Sequence, residues 1–160
     1  MSGAPIDLYF DFISPFAHLA WWRAPAIAAR HGRTLRPRPV LFAALLGHYG
    51  HLGPAEIGPK RAYIFKQVLR RAAARGLTLR PPPAHPFNPL LALRIAGDPT
   101  LDAEAQRRVI GALFNATWGG GPGIDDPATV AGILDAVGVD GHALVAAAGE
   151  APAKARLRAE

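Results

Sequence analysis

Within the stretch DLYFDFISPFAHLA, residues 7–20, the hydrophobic period changes from two to that of a helix at a single dipeptide, Ser14-Pro15. Ile6, Leu8, Phe10 and Phe12 alternate with Asp7, Tyr9 and Asp11, so residues 6–12 are predicted as a strand. Beyond it, Ser14 is a preferred N-cap and Pro15 suits the first helical turn. Ala17, Leu19, Ala20, Trp21, Ala24, Ile27 and Ala28 then carry a helical pattern on to Gly32, a C-cap residue. TLRPRPVLF, residues 34–42, reads as a second strand, held to a sheet edge by Pro37 and Pro39. Strand, helix and strand in that order define a right-handed βαβ unit with parallel strands.

After Phe42 the strand signals give way to helical ones. Residues 43–49 form a short apolar segment, and HLGPAEIGPK is a loop punctuated by Gly and Pro. Residues 61–75 are predicted as a helix with Ile64, Phe65, Val68, Leu69 and Ala72 on its inner side, ended by Gly76. LTLRPPPAHPFNP, residues 77–89, is extended and stiffened by proline. Residues 90–96, 102–118, 127–137 and 140–148 follow as helices separated by Gly, Pro and Asp turns. The middle of the chain is thus a helical layer inserted after a βαβ start.

Half of the 160 residues are hydrophobic, enough for one domain with a core. Eighteen Lys and Arg against twelve Asp and Glu leave a formal charge of +6, which suits nucleic acid, an anionic membrane or a small acidic substrate. Nucleic acid is disfavoured, because the basic residues are not interleaved with aromatics and no recognised binding motif occurs. No apolar run approaches a membrane span, and the N-terminus lacks a signal-peptide pattern, so a soluble cytoplasmic protein is expected. The chain has no cysteine. Any sulfur chemistry must therefore bring its own sulfur.

Ser14 admits two readings. It stands at the C-terminal end of a strand and the N-terminus of a helix, where unpaired amides and the helix dipole stabilise an anion or thiolate to which a hydroxyl can also donate. It also has the features of an ordinary N-cap. His85 lies in the stiff PPPAHPFNP segment beside Asn88, a turn former. Lys60 opens a basic helix directly after the Gly/Pro loop, where it can reach a carboxylate, while the later cations of that helix read as a solvated face. His48 and His51 lack the carboxylates that would make a metal site. Trp118 ends a helix before GGG, either as an aromatic anchor or as the flank of a ligand.

Four blocks in order, YFDFISPFAHLA, LGPAEIGPKRAYIFKQVLRRAAARGLTL, PPPAHPFNPLLALR and FNATWGGG, resemble the 2-hydroxychromene-2-carboxylate isomerases. These are relatives of kappa-class glutathione transferases within the DsbA-like thioredoxin superfamily. The resemblance implies a thioredoxin-like α/β fold with a helical insertion. Residues 1–42 would form the βαβ part of the thioredoxin-like domain, residues 43–137 the insertion, and residues 138–160 the start of the return. It further implies glutathione as coenzyme, with Ser14 where a thiol oxidoreductase has its first active-site cysteine, hydrogen-bonded to the glutathione sulfur. The implied reaction interconverts 2-hydroxychromene-2-carboxylate and trans-o-hydroxybenzylidenepyruvate in aromatic catabolism. Sulfur adds to the conjugated system, the bond rotates, and the thiolate leaves. Phe16 and Lys60 are then expected beside glutathione, and His85, Asn88 and Trp118 beside the substrate, with no metal.

Family members continue past the position of Glu160 with a cis-proline segment, a β-hairpin and a final helix, all absent from this sequence. Their loss would leave one edge of the first strand open and remove part of the glutathione clamp. A homodimer in which copies complete one another is the expected partnership. A kappa-type transferase that consumes glutathione, an inactive truncated member and a basic binding protein are the alternatives.

Overall fold

The structure, a computed structural model, describes residues 3–160. Its sheet, among the described residues, is a parallel pair, β1 (Ile6–Phe10) and β2 (Leu35–Pro39), with Ile6 opposite Leu35 and Phe10 opposite Pro39. β2 takes β1 as its partner on one side, and Pro37 and Pro39, which have no N–H to offer, fit an edge strand. Asp7 and Arg36 stand opposite each other across the pair and form an exposed ion pair.

β1 stops at Phe10, earlier than its alternating pattern predicts, because the next residue turns inward. Strand alternation puts Asp11 on the outer face with Asp7 and Tyr9, yet Asp11 is 3% exposed. Its carboxylate accepts from Ile13 N–H at 3.0 Å and from Phe42 N–H at 2.9 Å. Two backbone donors thus compensate the burial of one charge.

The single helix expected between Ser14 and Gly32 is two, α1 (Pro15–Trp21) and α2 (Ala24–Arg30). Pro25 explains the break. It lacks the N–H that a continuous helix needs there and instead occupies the first turn of α2. Gly32 ends this segment at a φ of 62°, a conformation that favours glycine.

The helical layer follows as α3 (Phe42–His48), α4 (Gly58–Ala73), α5 (Leu90–Ala96), α6 (Ala103–Trp118), α7 (Pro127–Asp135), α8 (Gly141–Gly149) and α9 (Ala151–Ala159). α4 begins three residues before the predicted start, with Pro59 in its first turn. Asp102, Asp126 and Asp140 cap α6, α7 and α8 by accepting from Ala105, Thr129 and Ala143 N–H at 2.7, 2.7 and 2.9 Å. α8 crosses α7 so closely that a Cβ at Gly141 would meet Ala131 O at 2.1 Å, so only glycine fits.

One core joins the sheet to the helices. Phe10 and Phe12 pack on Phe114 of α6 with ring centroids 5.7 and 4.7 Å apart, and Trp21 of α1 closes the cluster at 6.2 Å. Leu93, Ile95, Val109, Ile110, Val130 and Leu134 extend it through α5, α6 and α7. The layer after residue 42 therefore shares its core with β1.

His18 on α1 is 2% exposed, with its ring against Phe114 at 5.8 Å, and burial pushes its pKa down from 6.5 to about 4. The unfolded chain takes this proton near pH 6.5, whereas the folded chain resists it until about pH 4. Stability present above pH 6.5 is therefore lost as pH falls toward 4, by up to about 3 kcal/mol. Asp11 acts in the opposite direction, since burial raises its carboxyl pKa and protonation at the acid end favours the fold. Urea unfolding should show a midpoint that drops through this window, and His18→Leu should remove most of the drop.

Candidate active site

Residues 11–14 leave β1 as a short loop that is tied down on every side. Trp118 Nε1–H donates to Phe12 O at 2.8 Å, and His85 donates from Nε2 to Ile13 O at 2.9 Å. Because a carbonyl can only accept, that bond requires the His85 hydrogen on Nε2. Ser14 N–H donates to Asp11 O at 3.1 Å, and the Asp11 carboxylate joins Ile13 to the first residue of α3. Elements distant in sequence thus converge on the peptide units that precede Ser14.

Ser14 caps α1, its Oγ accepting from Ala17 N–H at 3.2 Å. A hydroxyl has one hydrogen and two lone pairs, so capping consumes an acceptor and leaves the hydrogen free to donate. Capping and chemistry are therefore compatible roles for one side chain.

Ser14 opens onto a cavity of about 340 Å³ whose wall includes Phe16, Phe42, Arg61, Phe65 and His85. The wall is apolar apart from a few groups. Ser14 supplies a hydroxyl, Arg61 a cation, and Glu56 a carboxylate already accepting from Gly53 N–H at 2.7 Å. His85 stands in an aromatic setting, with Phe65, Trp118 and Phe87 at 5.4, 5.6 and 6.1 Å, and its bond to Pro86 is cis. A small, flat, anionic molecule matches this mixture of aromatic surface and sparse polarity.

The expected site residues separate into two groups. Ser14, Phe16 and His85 are on the cavity wall, and the Arg71 guanidinium lies 5.6 Å from the Phe16 ring. Lys60, Asn88 and Trp118 are not. Lys60 is exposed at the start of α4, and its neighbour Arg61 takes the place on the wall. Asn88 accepts from Leu90 N–H at 3.0 Å and so supports the start of α5. Trp118 is fully buried beneath His85 and reaches the site only through Phe12 O.

Arg61, Asp11 and Phe42 were not singled out by the sequence pattern. A signal for Arg61 is nevertheless there: it precedes Phe65, Val68 and Ala72 by four, seven and eleven residues, so it shares their side of α4 and, though exposed, meets the cavity. Asp11 has no such local signal, since its two donors become neighbours only when α3 packs beside β1. Among the described residues no cluster of three or more His, Cys, Asp or Glu is placed to hold a metal, and no helix is long and apolar enough to cross a membrane.

Residues 5–160 match the family model of the DSBA-like thioredoxin domain. A 2-hydroxychromene-2-carboxylate isomerase of Sphingobium xenophagum is 30% identical over 141 residues, 87% of this chain and 71% of that protein. A protein of the same name from Pseudomonas putida is 32% identical over 119 residues, 72% of this chain and 57% of that protein. A solved structure of selenomethionine 2-hydroxychromene-2-carboxylate isomerase superposes with a TM-score of 0.85 at 27% identity, over 97% of this chain and 76% of the other. The chain belongs to the DsbA-like thioredoxin proteins and, within them, to the 2-hydroxychromene-2-carboxylate isomerase family. It spans about seven-tenths of the first of these relatives and less than three-fifths of the second.

Proposed function

We propose that the chain is a glutathione-dependent isomerase that interconverts 2-hydroxychromene-2-carboxylate and trans-o-hydroxybenzylidenepyruvate at the Ser14 cavity. The observation that carries this reading is a serine hydroxyl that accepts from Ala17 N–H and lines a largely apolar cavity whose wall also carries Arg61 and Glu56. The names of the relatives, 2-hydroxychromene-2-carboxylate isomerase, support the substrate and the isomerase class. The family resemblance implies glutathione as the source of the nucleophilic sulfur, and a chain without cysteine is in keeping with that.

Glutathione, when bound, would supply a thiolate that adds reversibly to the conjugated double bond and so lets it rotate, with no net redox change, once the cyclic hemiketal has opened to the ketone and its hydroxyl proton has passed to the phenol oxygen. Ser14 O–H would donate to that sulfur and lower its basicity. Phe16, Phe42 and Phe65 supply surface for the aromatic ring, and Arg61 holds the carboxylate.

Turnover tests this directly. Many substrate molecules should be converted per glutathione, with none consumed. A kappa-type transferase sharing the serine would instead consume one glutathione per product. Arg61→Ala should raise the substrate KM by about 10- to 100-fold, the equivalent of losing a charge-assisted hydrogen bond of about 1.5–3 kcal/mol. Lys60→Ala, exposed and off the wall, should change KM by no more than about threefold.

A further inference from the structure

Charge is divided unevenly along the chain. Thirteen of the eighteen Lys and Arg precede residue 98, against three of the twelve Asp and Glu. Residues 57–97 hold eight cations and no acid, five of the eight belong to α4, and the acid just before them, Glu56, is on the cavity wall. The four ion pairs among the described residues use Arg36, Arg38, Arg108 and Arg156. None of the eight cations is neutralised by such a pair.

This arrangement works against the helix that carries it. The positive end of a helix dipole favours acids, yet the first turn of α4 has none and no side-chain cap, and presents Lys60 and Arg61 instead. Lys66 and Arg70 are four residues apart, a spacing at which like charges repel. A helix selected only to pack would intersperse acids. The cations reach the cavity from both ends of α4, with Arg61 of the first turn on its wall and Arg71 of the last turn against Phe16.

We infer that the cations of α4 form a cationic collector that draws the anionic substrate toward the Ser14 cavity, with Arg61 at its end. The inference rests on the proposed reaction, whose substrate is a carboxylate. Unpaired charges of one sign beside a low-dielectric cleft sum into a field that raises association rates by about 10- to 1,000-fold. Lys66 and Arg70, outside the cavity wall, contribute through that field alone. Residues 98–160 carry nine acids and five cations, and none of them lines the cavity.

The test is kcat/KM for 2-hydroxychromene-2-carboxylate at saturating glutathione, from about 0.01 M to about 0.5 M salt, a range over which the Debye length falls several-fold. The native chain should lose at least about tenfold across the series. Lys66→Glu combined with Arg70→Glu should flatten the salt dependence and lower kcat/KM at low salt by about tenfold, leaving kcat at saturating substrate unchanged. The milder Lys66→Gln, Arg70→Gln pair should fall between. A native kcat/KM indifferent to salt, or a reversal pair that keeps the native slope, overturns the inference. Calorimetric titration of the substrate at the same salts separates it from the proposed reaction. Salt-dependent binding without turnover supports the collector and removes the isomerase; neither binding nor turnover overturns both.

Discussion

Ser14→Ala should lower glutathione-dependent isomerisation by about 100- to 1,000-fold, the usual cost of removing one donor from a developing or bound anion. It should lower unfolding stability by only about 1 kcal/mol, the worth of an N-cap. The two numbers are far apart because the hydroxyl does two things. Its lone pair receives Ala17 N–H at 3.2 Å, while its hydrogen remains available to the cavity. Ser14→Cys is an informative companion, because it keeps a weak cap but replaces the donor with a thiol that can exchange with oxidised glutathione, forming a mixed disulfide and releasing one reduced glutathione. Initial rates and a urea titration on the same samples give both quantities. Unchanged rates in Ser14→Ala would make this residue a cap alone.

Trp118→Ala should cost about 3–5 kcal/mol, at the upper end for an aromatic truncation in a core. Trp118 is fully buried, and its indole N–H donates to Phe12 O at 2.8 Å. Its own carbonyl accepts from Arg80 N–H at 2.7 Å, which fastens the extended segment before His85 to the end of α6. Trp118→Phe isolates the hydrogen bond. It keeps most of the apolar surface, deprives Phe12 O of its donor, and should cost about 1–3 kcal/mol. Both substitutions loosen the loop that leads into Ser14, so activity should fall more than the folded fraction does. A Trp118→Phe variant with native stability and activity would show that the indole bond does not position the loop.

The parts of this fold that could be read along the chain are those written in local chemistry. Asp102, Pro127 and Asp140 mark helix starts within one residue of where α6, α7 and α8 begin, because a cap acts over three or four residues. β1 was visible as a period of two, and Pro37 and Pro39 marked β2 as an edge. Local signals misled where two of them competed. The apolar pattern runs through Pro25 without interruption, yet the missing N–H of that proline divides the helix.

The candidate site was legible at Ser14, Phe16 and His85, which sit in short stretches with strong backbone signals. It was not legible where three-dimensional packing decides. Lys60 and Arg61 differ by one position, and a rotation of about 100° along α4 decides which faces the cavity. Helical phase, counted back from Val68, selects Arg61. Asp11 looked like an outward residue of a strand, and its burial follows from contacts with Phe42, thirty-one residues away. Trp118 reads along the chain as either an aromatic anchor or a ligand flank, and its indole serves a backbone carbonyl more than a hundred residues earlier in the chain.

The most direct measurement of the central claim is calorimetric titration of reduced glutathione into the 160-residue chain, beside Ser14→Ala and Arg61→Ala. Saturable binding is expected, weakened by about tenfold or more in Ser14→Ala, where a charge-assisted bond to sulfur is lost, and little changed in Arg61→Ala, which is assigned to the substrate. The absence of binding by a chain that unfolds cooperatively would contradict the account, and with it the assignment of the Ser14 cavity to thiol-dependent isomerisation.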